Sequence, residues 1–80
     1  MEKDLQFPNR IYRIYVEPSS IVWPEGFRVR IYFLRDGSSA LIYNEYPAWP
    51  GSTEQSLLHH AEAYVLTYER HHFSQSEALH

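Results

Sequence analysis

The stretch Phe27–Tyr46, FRVRIYFLRDGSSALIYNEY, decides the fold. Its first half alternates strictly. Phe27, Val29, Ile31 and Phe33 fall on one pleat face, and Arg28, Arg30, Tyr32 and Leu34 fall on the other. A period of two is the mark of a strand with one face against a core. Asp36-Gly37 then interrupts the run, and this dipeptide is a strong signal for a two-residue hairpin loop. The residues after it, Ser39–Tyr46, again favour strand. The segment therefore predicts a β-hairpin.

A two-residue loop fixes the register. Arg35 pairs with Ser38, Phe33 with Ala40, Ile31 with Ile42, Val29 with Asn44 and Phe27 with Tyr46 on the core side. On the opposite side Tyr32 meets Leu41, Arg30 meets Tyr43, and Arg28 meets Glu45 as a surface ion pair. A register placing Val29 opposite Glu45 would mix core and solvent residues, which pleat alternation disfavours.

Working outward, RIYRIYVE (10–17) is rich in β-formers and reads as an earlier strand, with Tyr12, Ile14 and Val16 inward. Residues 1–9 read as a flexible lead broken at Pro8. IVW (21–23) could extend a strand before the turn signal PEG. PAWPGS (47–52) reads as a stiff loop. Trp23 and Trp49 beside prolines suit either lids on a small core or rigid anchors for a partner.

A helix follows. Ser52 is the expected N-cap, with Gln55 completing a capping box. Leu57, Leu58, Ala61, Tyr64, Val65, Tyr68 and His72 share one face at 100° per residue, so residues 53–72 read as one amphipathic helix. Residues 73–80 read as a tail. The expected fold is α+β: a three-stranded antiparallel meander over residues 10–72, with one C-terminal helix packed on one face.

A single helix covers one sheet face. The other would hold Ile11, Arg13, Tyr15, Arg28, Arg30, Tyr32, Leu34, Leu41 and Tyr43. Of these, Arg13, Tyr15, Arg28, Arg30, Tyr32, Leu41 and Tyr43 form the expected binding surface. Tyr and Arg are enriched at binding hot spots, and monomers seldom leave large apolar-aromatic patches uncovered. The same residue types also serve as ordinary half-exposed sheet residues.

Composition bounds the rest. Eighty residues make one domain with a small core. The chain has no cysteine, so disulfides and thiolate metal sites are excluded. The charged start and the absence of a long apolar run fit a cytoplasmic protein without a membrane span. Net charge is −3, which argues against a general polyanion binder. Aromatics are 16% of the chain, including seven tyrosines, so a packed core is expected rather than disorder.

Chemistry-bearing motifs are sparse. His59, His60, His71 and His72 lack the His-x-x-x-His spacing of a helical zinc site. The serines lie in turns without a nucleophile-elbow context. No glycine loop is available to cradle phosphate. The expectation is a non-enzymatic protein with no cofactor and no metal.

Residues 27–70, the hairpin followed by STEQSLLHHAEAYVLTYE, complete an order of three strands and then a helix. This order resembles plant ethylene-response-type DNA-binding domains and phage integrase arm-binding domains. That resemblance implies nucleic-acid reading by the open face, with Arg13, Arg28, Arg30 and Tyr32 at the matching positions. This chain is acidic, however, and lacks the basic turns of those domains. IYVEPSS and EGFRVRIYF are similar to the first two strands of HicB-type antitoxin domains, which implies a toxin as protein partner. The FPDLPGC-like segment of that family is missing. In size and acidity the chain also resembles phage-encoded inhibitors such as anti-CRISPR proteins. The leading expectation is a protein-binding adaptor or inhibitor that uses the open face, or a homodimer formed through it. The alternative is a nucleic-acid-binding domain using the same face.

Overall fold

The computed structural model describes residues 1–19, 26–46 and 53–74. They form one antiparallel sheet and one C-terminal helix. The strands are β1 (Glu2–Phe7), β2 (Arg10–Ser19), β3 (Gly26–Arg35) and β4 (Ser38–Glu45), and the helix is α1 (Glu54–Glu69). The sheet order is β1-β2-β3-β4, a meander. The expected α+β layout holds, but the sheet has four strands rather than three.

The added strand is β1, inside the segment expected to be a flexible lead. It pairs with β2 from Glu2↔Tyr15 to Phe7↔Arg10. Pro8-Asn9 is its hairpin loop. Asn9 adopts φ 67°, a left-handed conformation that asparagine tolerates, and proline suits the position before it. The chain start is tied down as well. The Met1 amino group donates to the Val16 carbonyl at 2.7 Å, and the Val16 N–H donates to the Met1 carbonyl at 2.8 Å.

Asp36-Gly37 forms the expected two-residue loop. Both residues have positive φ, 51° and 79°, as a type I′ turn requires. The register then follows expectation through Arg35↔Ser38, Phe33↔Ala40 and Tyr32↔Leu41. Beyond that it slips by one residue at a β-bulge, so Ile31 faces Tyr43, Arg30 faces Asn44 and Val29 faces Glu45. The pairs expected for Ile42, Asn44 and Glu45 are therefore not formed. Ile42 is the extra residue, and both Ile42 and Tyr43 pack against the core. Two large apolar side chains under the helix outweigh strict alternation.

The core lies between the sheet and α1, with the helix mainly over β2. Tyr12, Ile14, Val16, Val29 and Ile31 of the sheet are buried against Leu57, Leu58, Ala61 and Val65. The N-cap of α1 is Thr53, and the expected Ser52 lies outside the described residues. The Ser56 N–H donates to Thr53 Oγ1 at 3.1 Å, and the Thr53 N–H donates to Ser56 Oγ at 3.0 Å. These two bonds complete a capping box with serine in the third position. The helix ends sooner than expected. After Glu69 it widens into a π-helical turn, Arg70–Ser74. Phe73, expected in the tail, stacks on Phe33 with ring centroids 6.1 Å apart. The expectations for IVW, PEG, PAWPGS and both tryptophans fall outside the described residues.

Candidate functional site

The sheet face away from α1 is built by pleat alternation from all four strands. Glu2, Asp4 and Gln6 come from β1, and Ile11, Arg13, Tyr15 and Glu17 from β2. Arg28, Arg30, Tyr32 and Leu34 come from β3, and Ser39, Leu41 and Asn44 from β4. Of the seven expected site residues, six meet here. Tyr43 does not, because the bulge turns it to the helix side. Its ring lies 4.8 Å from that of Tyr64. Burial pushes the Tyr43 hydroxyl above its ordinary pKa, and Glu45 and Tyr64 act in the same sense.

The centre of the face is a shallow depression lined by Arg13, Tyr15, Arg30, Tyr32, Leu34 and Ser39. Tyr15 and Tyr32 meet edge to face at 5.8 Å and 88°. The Arg30 guanidinium stands over the Tyr15 ring at 4.9 Å and near the Tyr32 ring at 5.8 Å. Arg30 Nη2 donates to Glu17 Oε1, and Nη1 donates to the Tyr32 hydroxyl at 3.3 Å. The Glu17 bond raises the Arg30 pKa, against the effect of desolvation. Arg30 Nε is buried without a hydrogen-bond partner. Cation–π contact and an ion pair together hold this side chain flat on the sheet.

Arg13 is held from the strand that was not expected. Its Nε and Nη2 donate to Asp4 Oδ1 and Oδ2 at 2.9 and 3.1 Å, and Glu2 lies 3.7 Å away. The fork geometry holds the Asp4 carboxyl below its ordinary pKa and raises that of Arg13. Arg28 does not pair with Glu45 as expected, because the bulge removes Glu45 from this face. Its Nε donates to the neutral Asn44 Oδ1 at 3.1 Å, and its guanidinium lies 5.6 Å from the Tyr46 ring. With Arg13, Arg28 and Arg30 set against Glu2, Asp4 and Glu17, the face carries no net formal charge. Leu41, 47% exposed, is its most open apolar side chain.

A second polar cluster lies under the helix end. Glu69 is only 8% exposed. Arg10 Nε donates to Glu69 Oε2 at 3.1 Å, Arg10 Nη2 donates to Oε1, and the Tyr12 hydroxyl donates to Oε2 at 2.6 Å. The Arg10 guanidinium also packs 3.9 Å from the Phe73 ring centroid. Burial pushes the Tyr12 hydroxyl above its ordinary pKa, while Arg10 pulls the other way. Glu69 was missed in the sequence, although it lies four residues after Val65 on the apolar stripe. A carboxylate at that spacing asks for a cation from the sheet.

Among the described residues, no group of three or more His, Asp or Glu side chains gathers as a metal site. No helix among them is long and apolar enough to cross a membrane. No family model, curated protein or solved structure matches this chain.

Proposed function

We propose that this chain is a non-enzymatic protein-binding module, an adaptor or inhibitor, whose docking surface is the open sheet face. The observation that carries this reading is the Tyr15–Arg30–Tyr32 cluster beside exposed Leu41. Interlocked aromatic and guanidinium groups lose little conformational freedom on binding, which lowers the entropic cost of association. The face is shallow and neutral, and it mixes apolar, aromatic and hydrogen-bonding groups. That chemistry suits a protein surface that is largely uncharged at its centre.

The alternative, nucleic-acid binding by the same face, needs arginines available to phosphates. Arg13 and Arg30 are instead engaged by carboxylates of the same face. A phosphate would have to displace Asp4 or Glu17, and their negative charge would repel it. The pairing favours the protein-binding reading.

The test is comparative capture from extract of the source cells. The wild-type chain is set against Leu41→Asp/Tyr32→Ala on the open face and Leu66→Asp on the exposed side of α1. Leu66 is 54% exposed. A specific partner should be retained by the wild type and by Leu66→Asp, and lost from the open-face variant. Equal retention by all three would refute the assignment of this face.

A further inference from the structure

The two edges of the sheet differ. The β1 edge carries Glu2, Lys3 and Asp4 within its six residues, and Lys3 Nζ is tied to Glu62 of α1 at 2.7 Å. Charges on an outer strand are a common way to prevent further strand pairing. The β4 edge carries no charge from Ser38 to Asn44, and most of the strand is exposed. In a two-residue hairpin the residues flanking the loop bond each other, so inward and outward backbone groups alternate from there. Ser38 and Ala40 therefore bond to β3, while Ser39 and Leu41 turn N–H and C=O outward. Among the described residues no backbone hydrogen bond beyond the ladder uses these groups. The bare stretch ends at the bulge, where the Tyr64 hydroxyl donates to the Ile42 carbonyl at 3.3 Å.

We infer that β4 is a self-pairing edge, on which a second copy of this chain adds its own β4 antiparallel to form one continuous sheet. The outward groups of Ser39 and Leu41 are spaced symmetrically about Ala40. A two-fold axis at Ala40 pairs Ser39 of one protomer with Leu41 of the other, and the reverse. Both pairs exchange N–H···O=C bonds, so every outward group before the bulge is used. The two Ala40 side chains then meet in the close, non-hydrogen-bonded position, where small residues fit. No like charges face each other along the stretch, and the lateral halves match because they are the same sequence. Ala40 is exposed and lies on the helix side of the sheet beside Phe33, outside the open-face cluster. Substitution of Ala40 therefore tests self-pairing while leaving every open-face side chain, Leu41 included, in place.

The experiment is sedimentation velocity on the wild type, Ala40→Glu and Ala40→Lys, with circular dichroism to verify each fold. The wild type should sediment as a dimer. Each variant places like charges at the two-fold axis and should self-associate roughly tenfold more weakly or worse. Mixing the two variants should restore a one-to-one dimer, since Glu then faces Lys. A monomeric wild type would overturn the inference. So would folded variants that dimerise as well as the wild type, because the contact would then lie elsewhere. Failure here leaves the capture experiment on the open face unaffected, because the Ala40 variants keep Tyr15, Arg30, Tyr32 and Leu41.

Discussion

Arg10 and Glu69 form a two-pronged ion pair that ties the start of β2 to the last residue of α1, with both side chains largely withdrawn from water. Tyr12 supplies a further hydrogen bond to the same carboxylate, and Phe73 covers the guanidinium. Removing one member strands the other in a poorly solvated site. Glu69→Ala is expected to lower stability by about 3 kcal/mol. Replacing Arg10 and Glu69 together by Met and Leu should cost less than Glu69→Ala alone, because no unpaired charge remains. Urea unfolding of both variants checks this. A double variant less stable than the single one would mean that the pair is a net source of stability.

The capping box makes a smaller, separate contribution. Thr53→Ala removes the acceptor for the Ser56 N–H and should destabilise the chain by about 1 kcal/mol. Thr53→Asp keeps an acceptor and adds negative charge at the positive end of the helix, so its stability should stay near that of the wild type. The same unfolding measurement reads both, and equal losses would argue against capping as the cause.

The legibility of this fold in its sequence tracks how local each determinant is. Asp36-Gly37 specifies its turn by backbone conformation alone, and the register near it was readable for that reason. Ile42 and Tyr43 obey a different constraint. Both are apolar and adjacent, so alternation must send one of them to the open face. Both instead pack against the core at the bulge, where the Tyr64 hydroxyl bonds the Ile42 carbonyl from 22 residues away in the chain. The first strand was hidden by composition. Glu2, Lys3 and Asp4 do not look like strand residues until Arg13, Glu62 and the β2 edge are there to receive them. The open face was legible as a set of cations and aromatics. Its neutrality was not, because Asp4 and Glu2 arrive from that unrecognised strand.

The Asp4–Arg13 pair has a pH signature. The hydrogen bonds from Arg13 hold the folded-state pKa of Asp4 below that of the carboxyl in the unfolded chain. Below that value the unfolded chain takes up the proton first, so stability falls as pH drops through the window between the two values. The contribution is fully present above the unfolded pKa and gone once pH is below the folded one. Asp4→Asn should remove this part of the acid limb and leave the neutral-pH fold intact. Unfolding curves across the acid range check it, and an unchanged acid slope in the variant would show that the pair is not coupled to folding. The effect is small because the pair is exposed.

The charge balance of the open face makes a final prediction that bears on its partner class. If carboxylates hold Arg13 and Arg30, the wild-type chain should show little salt-sensitive affinity for single-stranded DNA or RNA. The variant Glu2→Gln/Asp4→Asn/Glu17→Gln frees both arginines beside Tyr15 and Tyr32, leaving cations next to stacking surfaces. It should gain binding that weakens as salt rises, with a log–log slope of about −0.7 for each phosphate contacted. Fluorescence titration at two salt concentrations reads both chains. Strong salt-sensitive binding by the wild type would mean that phosphate outcompetes Asp4 and Glu17, and the face would then belong to nucleic acid. No gain in the triple variant would show that the arginines, even when released, cannot reach a phosphate backbone from a flat sheet. In that case the aromatic and apolar groups alone define what the face can bind.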